Sequence, residues 1–264
     1  IDLSSPKVMG IINITPDSFY DGGLYNSEKT ILTQIEKMLN EGATFIDVGA
    51  YSSRPTAKHI SEDEELKRIL PIVELILKAF PKSLLSIDTF RSSVAKQCIE
   101  AGVCMINDIS AGQLDENMMA AIADLNVPYV MMHLKGTPQT MHQQTNYDNL
   151  LKDILFYFSE RIAEARKLGI TDLIIDPGFG FAKDLDQNYE LLNKLELLKM
   201  IELPILVGLS RKSMIYKTLD ASAKESLNGT TVLNTIALQK GANILRVHDV
   251  KEAIECIKLT NQLH

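Results

Sequence analysis

The chain has 264 residues, 45% of them hydrophobic, and a formal net charge of −7 at pH 7. A sequence pI near 5.3 makes it a poor partner for a phosphate backbone, which excludes nucleic acid as a main ligand. No apolar run approaches the roughly 20 residues that span a bilayer, so no membrane partner is expected. The start, Ile1-Asp2-Leu3-Ser4, does not read as a signal peptide. Cys98, Cys104 and Cys256 lack metal-ligand spacing, and their odd number in apolar surroundings predicts reduced, buried thiols in a cytoplasmic protein.

Eight short apolar runs follow one another, at residues 8–13, 44–48, 84–88, 104–108, 129–133, 173–176, 205–208 and 244–247. Continuous apolar runs of this length suit strands buried on both faces of a parallel sheet. Helical spacing separates them. It shows in Ile31, Ile35, Met38 and Leu39, in Leu66, Ile69, Ile72, Val73 and Ile76, and in Leu151, Ile154, Leu155, Phe158 and Ile162. Gly42, Gly102, Gly169 and Gly241 stand between a helical segment and the next strand, as helix stops do. Eight alternations without a composition break predict α/β architecture, a single (β/α)8 TIM barrel spanning residues 1–264. An open doubly wound sheet would usually carry a Gly-rich nucleotide fingerprint after the first strand, and none is present. The connections after strands 1, 2 and 5, at residues 15–25, 50–59 and 134–146, are long. Loops in those places form the active face of such a barrel and often act as lids.

Nearly every strand ends in a polar residue. Asn13 ends the first, with Thr15, Asp17 and Ser18 behind it, a composition that also suits a plain turn. The second loop carries Arg54 among hydroxyls, a phosphate grip or a solvated surface residue. Strand 3 ends at Asp88, strand 4 contains Asn107 and strand 6 ends at Asp176. A helix cap explains one such residue, but not two carboxylates and two amides on one rim. Acidic groups in a cleft suit a ligand edge with several N–H donors, hence a planar nitrogen heterocycle such as a pterin or purine. Arg211 and Lys212 begin the helix after strand 7, and Arg246 and His248 end strand 8. This cationic quartet suits a phosphate site, which recurs after strands 7 and 8 of this fold; the plain alternative is a charged helix start without a ligand.

Other residues read as structural. His133 is a hydrogen-bonded core histidine rather than a general base. His59, His142 and His264 lie on the surface, and Met131, Met132, Met141 and Met214 suit packing gaps. Residues 62–65 form the exposed acidic start of a helix. No Ser–His–Asp or Cys–His set is evident.

The segments MGIINITPDSF, GAYSSRP, SIDTFRSSVA, INDISAG, MMHLKGTPQTM, DPGFGFAK, GLSRKSMI and ILRVHDV run in this order across residues 9–249. Together they resemble the dihydropteroate synthase family of folate biosynthesis. The resemblance implies condensation of 6-hydroxymethyl-7,8-dihydropterin diphosphate with 4-aminobenzoate, releasing 7,8-dihydropteroate and pyrophosphate with Mg2+ assisting. It implies a pterin pocket of Asp88, Asn107, Asp176, Lys212 and Met131. Asn13, Arg54, Arg246 and His248 would hold the diphosphate, and Asn13 would also be the metal ligand. Phe19, Ser53, Pro55, Phe181 and Ser213 would shape the aminobenzoate position. Arg246, His248, Lys212, Asp88 and Arg54 would carry the catalysis. A homodimer through the late barrel helices and competition by sulfonamides are also implied.

The second loop departs from the family pattern: Tyr51-Ser52-Ser53 stands where Glu-Ser-Thr is common. Chemically, the methylene beside a pterin ring delocalises positive charge, so pyrophosphate can leave before the amine attacks, in a dissociative substitution. Arg246→Ala is then expected to cost far more turnover than stability. A pterin-dependent methyltransferase and a non-catalytic pterin-binding paralogue are the alternatives; the Arg246/His248 pair argues against the first, and the full set of candidate site residues against the second.

Overall fold

The computed structural model describes residues 2–14, 24–52 and 59–263. Its strands are β1 (Lys7–Asn13), β2 (Phe45–Gly49), β3 (Leu84–Asp88), β4 (Met105–Asp108), β5 (Tyr129–Met132), β6 (Leu173–Asp176), β7 (Leu206–Val207) and β8 (Ile244–Val247). Between and after them lie α1 (Leu24–Asn40), α2 (Glu62–Ala79), α3 (Ser92–Glu100), α4 (Met118–Leu125), α5 (Leu150–Lys167), α6 (Leu185–Asn193), α7 (Ser213–Thr218), α8 (Leu227–Gln239) and α9 (Val250–Thr260). All strand pairs are parallel, in the order β6-β5-β4-β3-β2-β1-β8-β7. A parallel bridge between Ile175 and Ile205 joins the two ends and closes the ring. The architecture is the expected (β/α)8 barrel.

The strands bury both faces because they are apolar on both. Outward residues such as Val8, Ile46, Ile106, Ile175 and Leu245 pack with Ile35, Ile69, Val94, Ile154 and Phe158 of the helices. Burying one such side chain contributes about 1.5–3 kcal/mol. Inward, Met9, Phe45, Met105, Val130, Ile174, Leu206 and Ile244 form a separate cluster, one residue from each of seven strands, with Leu84 of β3 packed against it. This plug fills the barrel beneath the polar strand ends.

The four predicted glycine stops all have positive φ, between 85° and 112°, where a side chain would be strained. The long loop after β5 is present, with a 3₁₀ turn at Met141–Gln143. The loops expected after β1 and β2 include residues 15–23 and 53–58, so Phe19, Ser53, Arg54 and Pro55 lie outside the described residues. The acidic stretch 62–65 does open α2, with Ser61 as N-cap. It is not exposed throughout: Glu65 is fully buried, 2.6 Å from the Arg91 guanidinium and hydrogen-bonded by the Thr89 hydroxyl. It falls on the core stripe of α2 with Ile69, Ile72 and Ile76, which explains the burial. All three cysteines are free, and burial pushes the Cys98 thiol up to about 12. Among the described residues no helix is long and apolar enough to cross a membrane.

Candidate active site

The carboxyl ends of the strands carry polar side chains into the barrel above the apolar plug. Asp47 of β2 is fully buried. Its Oδ2 accepts from Arg246 Nε at 2.6 Å and from Asn107 Nδ2 at 3.0 Å. Arg246 Nη2 also donates to Asp88 Oδ2 at 2.8 Å. One guanidinium thus spans β8, β2 and β3, and the Asn107 amide is oriented by the carboxylate it donates to. Gly49 makes room: a Cβ there would lie 3.2 Å from the Asp88 Cβ. Asp47 Oδ1 and Ser86 Oγ are buried without a hydrogen-bond partner among the described residues. Asp47 and Ser86 are register neighbours on β2 and β3, so this floor retains polar capacity.

The turn after β6 supplies the second half of the site. Asp176 Oδ1 accepts from the Gly178 N–H at 2.7 Å. Lys212, at the N-cap of α7, donates to the Phe179 carbonyl, and its Nζ stands 5.0 Å from the centre of the Phe181 ring. Burial pushes the Asp88 carboxyl up to about 7, helped by Asp47 and opposed by Arg246. Burial raises Asp176 as well, against the opposing charges of Lys212 and Arg246. Burial pushes Lys212 down to about 8, with Asp176 opposing. Asp176 and Arg246 therefore sense each other's charge, as groups opening onto opposite faces of the molecule would not.

The structure brings Asp88, Asn107, Asp176, Lys212, Phe181 and Arg246 to one mouth. Asn13 ends β1 on the same rim, beside Gly49. Ser213 begins α7 directly after Lys212. His248 follows β8 and is exposed, with Nδ1 3.0 Å from Ser210 Oγ. Two expectations are corrected. Arg211 does not join the cationic group, because Nε and Nη2 lie 2.9 and 2.6 Å from the two oxygens of Asp249. Met131 does not face the pocket. It pairs in register with Asp108 and Ile175 and packs in the strand–helix core, whereas Met132 pairs with Asp176 on the inward side. The pleat reverses side-chain direction at each residue, so the neighbouring methionine takes the inward place.

Asp47 and Lys183 went unassigned in the sequence reading. An aspartate inside the apolar FIDVG run of β2 was the available signal for the first. The second sits at the end of DPGFGFAK and is buried against His133. His133 itself is the expected core histidine, 3% exposed and held by burial well below its ordinary pKa.

The comparisons agree with this geometry. A family model described as pterin binding enzyme matches residues 9–248. A dihydropteroate synthase of Escherichia coli K12 is 42% identical over 261 residues, covering 98% of this chain and 92% of its own. One of Bacillus subtilis is 39% identical over 258 residues, covering 97% and 88%. The solved structure of Yersinia pestis dihydropteroate synthase in complex with a sulfonamide drug superposes with a TM-score of 0.93 at 42% identity, covering all of this chain and 96% of its own. With acids and cations paired in one barrel mouth and relatives of this closeness along its length, the chain belongs to the dihydropteroate synthase family of pterin-binding enzymes.

Proposed function

We propose a division of labour among the strand ends for the dihydropteroate synthase reaction, a transfer in folate biosynthesis joining 6-hydroxymethyl-7,8-dihydropterin diphosphate to 4-aminobenzoate. Asp88, Asp176 and the Asn107 amide oxygen receive the N–H edge of the pterin, with Met132 beside them and Lys212 supplying a donor to the same ring. Carboxylates are the acceptors such an edge needs, and in a dry pocket they also stabilise positive charge developing on the pterin methylene. Arg246, His248 and Arg54 face the diphosphate and stabilise the charge it takes away. Among the described residues two of the five Arg246 N–H groups have partners, Asp47 and Asp88; the remaining three suit phosphate oxygens. Phe181 and Ser213, with Phe19, Ser53 and Pro55, border the aminobenzoate. No covalent nucleophile is required, which agrees with a site built from acids, amides and cations.

Mg2+ fits this site in one particular way. Among the described residues no cluster of three or more His, Cys, Asp or Glu could cage a metal. Mg2+ commonly keeps several waters and binds through substrate phosphates and one or two protein oxygens, and the Asn13 side-chain oxygen at the rim is such a ligand. Bound there, it would neutralise charge on the departing diphosphate. Residues 1–264 are read as one domain, working in the cytoplasm as a homodimer. The exposed Leu259 and Leu263 in and just after α9 support an apolar contact between copies.

The observation that carries this reading is the barrel mouth in which Arg246 bridges Asp47 and Asp88 beside Asp176 and Lys212. Pyrophosphate release from the mixed substrates tests it. The expected result is release dependent on both substrates and slowed by about 10²–10³-fold in Asp176→Asn. Methyl transfer from a folate without pyrophosphate release would overturn it.

A further inference from the structure

The β6–α6 connection holds a second buried lysine that the reaction described above does not use. Lys183 is 7% exposed. Its Nζ lies 3.0 Å from His133 Nδ1, 3.0 Å from the Gly178 carbonyl and 3.0 Å from the Phe181 carbonyl. Lys212, in contrast, has one hydrogen-bond partner among the described residues, the Phe179 carbonyl, and keeps protons for a ligand. Two lysines thus stand on either side of one turn, one turned toward the pocket and one enclosed by protein.

We propose that Lys183 is a positioning residue of the reaction: by gathering the Gly178 and Phe181 carbonyls onto the His133 ring, it holds the turn after β6 in the shape that presents Asp176 and the Phe181 ring to the substrates. Three observations carry this. The Gly178 N–H is the donor to Asp176 Oδ1 at 2.7 Å, and Lys183 holds the carbonyl of the same residue, so anchoring Gly178 steadies the donor that sets the carboxylate rotamer. The Gly178 backbone is seated against His133, where an added Cβ would lie 2.3 Å from the His133 carbonyl oxygen. The outer end of the turn is tied independently: Gly180 N donates to Asn188 Oδ1 at 2.6 Å, and Tyr147 donates to the Ala182 carbonyl at 2.8 Å. At the inner end the His133 N–H donates to the Asp176 carbonyl at 2.9 Å, and among the described residues Lys183 is the side chain that joins the Gly178 and Phe181 carbonyls to His133, directly after β5.

The cage tolerates either protonation state. An ammonium donates three protons to three acceptors. A neutral amine donates two to the carbonyls and accepts one from the other imidazole tautomer. Burial pushes Lys183 down to about 7, with Asp176 opposing and Lys212 assisting. The turn is therefore held on both sides of neutrality. No proton transfer is required of Lys183.

The proposal rests on the assignment of Asp176 to the pterin, so three variants are compared: Asp176→Asn, Lys183→Met and His133→Ala. Steady-state kinetics are measured for each with the pterin diphosphate varied, and folding is followed by melting. Groups that orient ligating side chains at metal sites cost about 10–100-fold when removed, and a lysine that orients a substrate-binding carboxylate acts in the same way. K183M is expected to raise the pterin KM by about that factor while kcat per folded enzyme changes by less than about threefold. A merely structural role would lower the folded fraction, and with it apparent kcat, without moving KM. H133A keeps the lysine and both carbonyls, and is expected to raise KM less. The double variant should add nothing beyond K183M, since both act through one contact. If D176N leaves the pterin KM unchanged, the pterin assignment falls. If D176N raises it while K183M does not, the positioning role falls alone. Should K183M fail to fold, an H133A enzyme with wild-type pterin KM overturns the proposal by itself.

Discussion

Arg246 and Asp47 meet inside the barrel with Nε 2.6 Å from Oδ2, although 199 residues separate them along the chain. The contact closes an array in which one guanidinium serves two carboxylates and one of those carboxylates serves an amide. It also alters the expectation for Arg246→Ala. Removing the cation leaves a fully buried Asp47 without its charge partner, and breaking a buried pair from one side costs about 3–5 kcal/mol. The variant should lose roughly 10²–10³ in turnover and also melt well below wild type. A melting temperature within a degree of wild type would show that the Asp47 carboxylate is compensated by another partner in the variant.

The Asp88 carboxyl rises from an ordinary 3.8 to about 7 because burial disfavours its charge. As an acceptor for pterin N–H groups it must be ionised. The value of kcat/KM for the pterin substrate should therefore fall as pH drops through about 7, and Asp88→Asn should lack that limb. Stability has the opposite sign. A folded value raised above the unfolded one contributes stability below about 4 that is lost as pH rises toward about 7. The stability gap between wild type and Asp88→Asn should narrow across that window in chemical denaturation. A gap that widens would mean the Arg246 contact outweighs burial.

Gly178 combines φ of +71° with a Cβ position 2.3 Å from backbone oxygen. Neither penalty can be relieved by a side-chain rotation. Gly178→Ala should destabilise by about 1–3 kcal/mol from the backbone conformation alone, and it should raise the pterin KM by displacing the donor to Asp176. Melting and substrate titration check the two effects separately.

Tyr51, the departure from the family pattern, packs edge-on against Phe90 with ring centres 5.0 Å apart. Its hydroxyl accepts from Gln139 Nε2 at 2.8 Å and lies 3.2 Å from His59 Nδ1. The start of the loop after β2 is thereby tied to the loop after β5. Tyr51→Phe keeps the ring and removes the hydrogen bonds, so it should cost about 0.5–1.5 kcal/mol in stability. Tyr51→Ala should cost more, through the lost aromatic contact. Equal losses in the two variants would assign the whole effect to the hydroxyl.

The strand positions, the helix stops and the polar strand ends were legible because each rests on local information. An apolar run buried on both faces, a glycine after a helix and an aspartate at a strand end are properties of neighbouring residues. Asp88, Asn107, Asp176 and Lys212 could be singled out in this way. What the side chains do to one another was not legible. The choice of Met132 over Met131 depends on strand register, which shifts with the stagger of the barrel. The commitment of Arg211 to Asp249 joins two loops 38 residues apart, and the charge partner of Glu65 is an arginine on the next strand–helix unit. The amino-acid order determined a ring of strands with polar ends, because burial and backbone preference act over a few residues. Only closing the ring decided which acid holds which cation, because a buried charge takes the nearest partner in space, wherever that partner lies in the chain.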